Sequence, residues 1–173
     1  MGIFPPTDQP VRFDGALEQR PALAALIGRI VADWANAEML LAIAFAILLQ
    51  VDARIAFRIL DAIYAKDQKF RQITAVAYAK ITNQDLVARM QLALRGLKEA
   101  GKLRDRVAHG RWGISGAYPN VLLWIRSTAG EDGFEVYDEP KLHSIIDLIA
   151  ESAAALHKVT IETGQELGSI PSF

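Results

Sequence analysis

The sequence predicts an all-α fold, a bundle of four or five helices with a small β-hairpin inserted between the last two helices. Apolar residues recur at intervals of three and four along most of the chain, which is typical of helices that bury one face. Turn-forming residues cluster instead within 111–138, around β-branched and aromatic runs. A chain of 173 residues with 51% hydrophobic residues can bury its own core, so its composition excludes disorder.

The first two helices follow from the positions of proline and aspartate. Residues 1–20 are interpreted as an N-terminal arm. Pro21 suits the first turn of a helix, where its missing N–H would be unpaired in any case, and this helix is predicted to extend to Gln50. Asp52 is predicted to cap the second helix, because its side chain can accept a bond from the first turn.

The third and fourth helices are predicted from their starting residues. The third helix is predicted to start near Asp67, where the apolar pattern resumes. Thr82 followed three residues later by Asp85 resembles a capping box, which marks a helix N-terminus. The fourth helix is therefore predicted to start there and to run towards His109.

The β insert is predicted from two short apolar runs. Val121–Ile125 is β-branched and aromatic, and Phe134–Tyr137 alternates apolar and polar residues. Ala129–Gly133 between them is predicted to form the turn of an antiparallel hairpin. A further strand near Trp112–Ser115 is expected to join it.

The last helix is predicted to open at Asp138 or Glu139 and to end at Gly164, since glycine commonly follows the last helical turn. No Gly/Ser linker and no internal repeat divide the chain. A single domain is therefore predicted over 21–164, followed by a C-terminal tail at 165–173.

The most apolar stretch, Met39–Leu49, would form a helix about 16 Å long, half the thickness of a bilayer core. It is therefore predicted to be a buried helix, and no membrane association is expected. The first ten residues lack a basic region followed by an apolar one, so no export signal is predicted. The absence of cysteine excludes disulfides and a cysteine nucleophile. Together these features predict a cytoplasmic protein.

Most catalytic and cofactor motifs are absent. The sequence contains no GxGxxG, P-loop or HExxH motif and no GxSxG elbow. The three histidines (His109, His143 and His157) lack the spacing of metal ligands, so neither a metal nor a cofactor is predicted. A formal net charge of −1 excludes nucleic-acid binding through bulk charge, although a local basic patch remains compatible with it.

Arginine, aspartate and histidine lie close together within Leu103–Trp112. Asp105 and His109 are four residues apart, so on a helix the carboxylate can orient the imidazole ring. The guanidinium of Arg104 carries a permanent charge and matches phosphate oxygens. The surrounding segment Arg95–Arg111 is rich in cations and predicts a phosphate-binding strip, to which Lys98, Lys102, Arg106 and Arg111 are assigned.

This segment resembles the motif of the HEPN superfamily, an Arg-x4–6-His pattern late in a helical bundle with a polar residue after the arginine. Arg104, Asp105 and His109 match that pattern. The frame also matches: Ala108-His109-Gly110 is followed by Trp112, a hairpin and a closing helix. Trp34 and Glu38-Met-Leu-Leu41 resemble the usual opening of the family. The resemblance spans roughly residues 20–160.

The resemblance implies a metal-independent endoribonuclease or RNA-binding domain that acts as a homodimer. It also implies roles in toxin–antitoxin, phage-defence or RNA-processing systems, with an antitoxin or another protein as a possible partner. In such a site His109 transfers a proton to or from the RNA, and Arg104 stabilises the charge on the phosphorane. Asp105 would be the third member of the catalytic group.

Other interpretations of these residues remain open. A cationic His109 would favour the negative end of the helix dipole, so the cluster can simply cap the helix. The protein would then be a non-catalytic homodimeric adaptor, or a module that binds a nucleotide or a protein. Trp112 and Trp124 are expected to pack on the bundle rather than to stack on bases. Asn36 and Glu38 either face the motif helix or lie at a subunit contact.

Overall fold

A computed structural model describes residues 10–128 and 131–168, which contain five helices and three strands. Their order confirms a helical protein with a small β insert before its last helix. The elements are α1 (Pro21–Leu49), α2 (Ala53–Asp61), α3 (Lys66–Lys80), α4 (Gln84–Ala108), β1 (Trp112–Ser115), β2 (Tyr118–Thr128), β3 (Glu131–Tyr137) and α5 (Glu139–Glu166).

The described chain divides into two compact units. The first unit combines the residues up to Ala32 with Leu103–Asp147. The second unit combines Asp33–Lys102 with the residues from Leu148 onwards. The divisions fall within α1, α4 and α5, so each of these helices contributes to both units. A single domain over 21–164 stays a prediction.

The first unit contains an antiparallel sheet in the order β1-β2-β3. The expected strand at Trp112–Ser115 is therefore confirmed. The turn predicted at Ala129–Gly133 is wrong in its last three residues. Pairing continues from Arg126 opposite Gly133 to Thr128 opposite Glu131, because backbone hydrogen bonds of the ladder replace the local turn tendency. Ala129 and Gly130 lie outside the described residues.

The N-terminal arm adds to the free edge of β1. Arg12 and Ile114 exchange two backbone hydrogen bonds, each 2.8 Å long. A Cβ atom at Gly113 would lie 2.5 Å from Cγ1 of Val11, so glycine permits this close approach. The arm thus covers a sheet edge that would otherwise be unpaired. Residues 1–9 of the predicted arm lie outside the described part of the chain.

The described residues of the second unit form helices and their connections, with no strand, and the helices bury side chains spaced by three and four. Trp34 packs on α4 at Gly101, where an added Cβ would lie 2.6 Å from the indole Cη2. This contact explains why a glycine occupies the middle of a long helix despite its low helix propensity. The largest fully buried side chains of this unit are Leu48, Ile73, Met90, Leu97, Ile149 and Leu156.

Two helix starts show how the caps form. Asp52 Oδ1 accepts a bond of 2.8 Å from the backbone N–H of Arg54, which confirms Asp52 as the cap of α2. The capping box at Thr82 is wrong by one residue, because α4 starts at Gln84. Asn83 Oδ1 accepts bonds of 3.0 and 3.3 Å from the N–H groups of the first turn. Thr82 instead donates its hydroxyl to Glu166 at 2.8 Å.

The last helix starts as predicted and ends later than predicted. Asp138 Oδ1 accepts a bond of 2.9 Å from Lys141 N–H, so Asp138 caps α5. Gly164 does not end the helix, which continues to Glu166. The chain turns at Gly168, whose φ of +66° lies in the left-handed region that glycine adopts at low cost. Residues 169–173 of the predicted tail lie outside the described residues.

Helix α1 is long and apolar enough to cross a membrane, with a mean hydropathy of 1.6 over its most apolar 18-residue window. Half of that window is buried inside the protein. The core helix of a globular protein and an N-terminal signal sequence both meet this criterion. Asn36 and Glu38 on this helix are exposed, so neither carries the cost of a buried polar group.

Candidate functional site

The C-terminal end of α4 places the predicted catalytic residues within the first unit. Helix α4 ends at Ala108, and His109 follows it directly. The backbone N–H of His109 donates to the carbonyl oxygen of Asp105 at 3.0 Å, so helical hydrogen bonding extends to the histidine. The His109 residue is exposed. Its imidazole is therefore accessible to a ligand at the helix end.

Two tryptophans terminate α4. The last carbonyl groups of a helix lack partners within it. Trp112 Nε1 donates to the carbonyl of Val107 at 3.3 Å, and Trp124 Nε1 donates to the carbonyl of Arg106 at 3.1 Å. Both indoles therefore pack against the helix end, as the sequence predicts. An added Cβ at Gly110 would lie 2.4 Å from Trp124 Cδ1, so the position after His109 admits only glycine without displacement of the indole.

Arg104 and Asp105 form an ion pair. Arg104 Nη1 lies 3.0 Å from Asp105 Oδ1, and the Arg104 side chain is only 19% exposed. Its Nε is buried and has no partner among the described residues. The bond expected between the Asp105 carboxylate and the His109 ring stays a prediction.

Most cations of the predicted phosphate-binding strip pair with carboxylates. Lys98 Nζ lies 3.1 Å from Asp67, and Lys102 Nζ lies 2.8 Å from Glu99. Both lysines belong to the second unit. The Glu99 carboxylate raises the pKa of Lys102 above its ordinary value through its hydrogen bond. Ion pairs exposed to water are weak, so a phosphate could compete for these lysines.

The two remaining cations of the strip belong to the first unit and contact aromatic rings. Arg106 Nη1 lies 3.0 Å from Glu135 Oε2, and its guanidinium lies over the Trp124 ring at 5.2 Å. The guanidinium of Arg111 lies over the Phe13 ring at 5.4 Å. These contacts fix both arginines against the sheet or the arm. Arg106 is therefore held against the hairpin, and its predicted role in phosphate binding stays a prediction.

Sequence reasoning missed a polar cluster on β3 and the start of α5. Glu135 accepts from Lys141 Nζ at 2.7 Å as well as from Arg106. Lys141 Nζ also lies 4.1 Å from the centre of the Tyr137 ring. Burial raises the pKa of the Tyr137 hydroxyl, Glu135 raises it further, and Arg106 opposes that rise. The feature that could have revealed this cluster is the register of β2 and β3, which places Glu135 opposite Trp124.

No group of three or more His, Asp or Glu residues that could hold a metal ion occurs among the described residues. Comparison of the chain with protein-family models, curated proteins and solved structures finds no match. The resemblance to HEPN domains thus depends on the motif residues and their place at the end of a long helix.

Proposed function

We propose that this protein is a HEPN-type, metal-independent endoribonuclease or RNA-binding domain. The observation that carries the proposal is the arrangement at the end of α4. An exposed His109 follows the helix, and Arg104 is held one turn earlier by Asp105. A proton-transferring group and a fixed positive charge are the two components that cleavage of a phosphodiester requires.

The proposed chemistry assigns a different task to each residue. The His109 imidazole accepts the proton of a ribose 2′-hydroxyl, whose oxygen then attacks the adjacent phosphorus. The bond from phosphorus to the 5′-oxygen breaks, and that oxygen takes up a proton from a general acid, which in the proposed dimer is the second copy of His109. Arg104 stabilises the negative charge on the phosphorane. The products are a 2′,3′-cyclic phosphate and a free 5′-hydroxyl.

A homodimer is part of the proposal. One protomer supplies a single motif histidine, whereas cleavage benefits from one group that accepts a proton and another that donates one. A two-fold dimer with both α4 ends near its axis would supply two copies of His109 and Arg104. An antitoxin or another protein partner would fit a role in toxin–antitoxin, phage-defence or RNA-processing systems.

The decisive experiment measures RNA cleavage by the purified protein in EDTA. A panel of single-stranded and structured RNAs is expected to yield 2′,3′-cyclic phosphate ends. His109→Ala should abolish most of this activity, and His157→Ala on the exposed side of α5 is the matched control. Absence of cleavage and of RNA binding across the panel would contradict the proposal.

A non-catalytic homodimeric adaptor is the second candidate function. The observation that favours it is that cations in and beside the motif form ion pairs with carboxylates. Arg104 pairs with Asp105, and Arg106 pairs with Glu135, as structural ion pairs would. In that case His109→Ala should lower the melting temperature without affecting any cleavage activity. Binding of a nucleotide or a protein would then be the function to seek.

A further inference from the structure

A groove opens between α3 and α4 within the second unit. Its cavity volume is about 530 Å³. This volume lies within the range of about 300–1,000 Å³ that is typical of small-molecule sites. Its walls are one face of α3 from Asp67 to Tyr78 and one face of α4 from Gln91 to Lys98.

The charged residues of the groove are mainly cationic. Arg71 and Arg95 face it from opposite walls, and both are exposed. Neither arginine has a carboxylate partner among the described residues. The third cation, Lys98, pairs with Asp67, the only carboxylate among the lining residues, at 3.1 Å. The groove therefore retains two guanidinium groups for an anion.

The remaining lining is apolar and aromatic. Phe70 and Leu94 are 9% and 2% exposed and form buried parts of the walls. The Tyr78 residue is 56% exposed, so its ring is accessible from the solvent. The Thr74 hydroxyl donates to the carbonyl of Phe70 at 2.8 Å, so its proton is used within the helix.

We propose that this groove binds a small organic phosphate, a phosphomonoester with an aromatic or apolar body. Two guanidinium forks match the oxygens of a phosphate dianion. The apolar walls and the exposed ring of Tyr78 provide a surface on which a planar group can stack. One cavity of this size accommodates a single small ligand, which favours a small molecule over a polymer. This site does not depend on the proposed ribonuclease function.

The experiment titrates the full-length protein with phenyl phosphate by isothermal calorimetry, and with inorganic phosphate and phenol separately. Phenyl phosphate is expected to bind saturably and about tenfold more tightly than either fragment, because only it engages both parts of the groove. Arg71→Gln and Arg95→Gln should each weaken its binding by about tenfold, the usual effect of losing one charged hydrogen bond. Tyr78→Ala should weaken binding of phenyl phosphate and leave inorganic phosphate unaffected.

The matched control is Lys80→Gln, which removes an exposed cation of α3 that does not line the groove. It should bind phenyl phosphate like the unaltered protein. Circular dichroism of each variant verifies that it is folded. An equal loss in Lys80→Gln would show unspecific attraction and overturn the proposal. The proposal would also be overturned if phenyl phosphate failed to bind. It would be overturned as well if phenyl phosphate bound only at a site from which an oligonucleotide RNA displaces it.

Discussion

The indole N–H of Trp124 donates to the backbone carbonyl of Arg106 at 3.1 Å, while the Arg106 guanidinium lies over the same indole at 5.2 Å. The Trp124 side chain thus makes two contacts with Arg106. It donates a hydrogen bond to the backbone carbonyl near the helix end, and its ring lies against the guanidinium. Glu135 lies opposite Trp124 in the sheet and completes the contact by pairing with Arg106. The end of α4 is thereby fixed to the β insert.

Replacement of Gly110 tests whether the end of α4 is fixed to the β insert. Gly110→Ala would place a Cβ 2.4 Å from Trp124 Cδ1 and 2.7 Å from the Arg106 carbonyl oxygen. We expect a loss of about 1–3 kcal/mol in the free energy of unfolding, the usual cost of overpacking. Gly28→Ala on α1 is the control, because an added Cβ there contacts nothing within 4 Å. It should stabilise the helix by about 1 kcal/mol. Equal effects of the two substitutions in urea denaturation would contradict this account.

Loss of the proposed catalytic groups should affect rate rather than folding. His109→Ala is expected to lower the RNA cleavage rate by about 10²–10⁴, since it removes general acid–base catalysis. Arg104→Ala should lower it by about 10²–10³, because it removes charge stabilisation. Both variants should keep the circular dichroism spectrum of the unaltered protein. Cleavage that persists unchanged in His109→Ala would exclude this residue as the proton-transferring group.

Asp105→Asn distinguishes two roles for the carboxylate. The structure pairs Asp105 with Arg104, so we expect the variant to reduce the cleavage rate by about tenfold through poorer positioning of the guanidinium. The pH–rate profile should keep its shape, because the substitution leaves the histidine in place. A displaced profile, measured with one RNA substrate across the pH range, would show instead that Asp105 acts on His109 as the sequence predicts.

The proposed dimer can be measured directly. Sedimentation velocity at concentrations of about 10–50 μM should show a single species with twice the mass of the chain. Mixing the two impaired variants, His109→Ala and Arg104→Ala, should restore part of the cleavage activity, since a composite cleft can then contain one intact copy of each residue. A monomer with full activity would contradict the composite site.

Acid should weaken the contact between Glu166 and the start of α4. Hydrogen bonds from Thr82 lower the pKa of the Glu166 carboxyl below its ordinary value of 4.5. A depressed folded pKa means that the stabilisation is fully present above the ordinary value and is lost as the pH falls through the folded value. The melting temperature of Glu166→Gln should therefore lie below that of the unaltered protein near pH 7. The difference should shrink as the pH falls below 4.5 and through the lowered pKa of the folded state.

Glu151→Gln is the control for this pH experiment, because it changes an exposed carboxylate on the same helix. Its melting temperature should follow that of the unaltered protein at every pH. A difference between Glu166→Gln and the unaltered protein that stays constant from pH 7 to about pH 3 would show that Glu166 acts through packing rather than through its charge.

Local patterns in the sequence determined most of the secondary structure. The spacing of apolar residues predicted the helices, and Asp52 and Asp138 marked two of their starts, because caps depend on bonds between neighbouring residues. The same local reasoning failed at Thr82. The neighbouring Asn83 also suits a cap, and a contact with the distant Glu166 engages Thr82 elsewhere.

The tertiary structure alone decided the partners of the candidate site. The sequence placed Arg104, Asp105 and His109 on one helix end, but several of their neighbours arrive from residues far along the chain. Trp124 caps α4 and Glu135 binds Arg106 because strand pairing brings both to that end. The ion pair between Arg104 and Asp105 depends on side-chain conformations, which residue spacing does not encode.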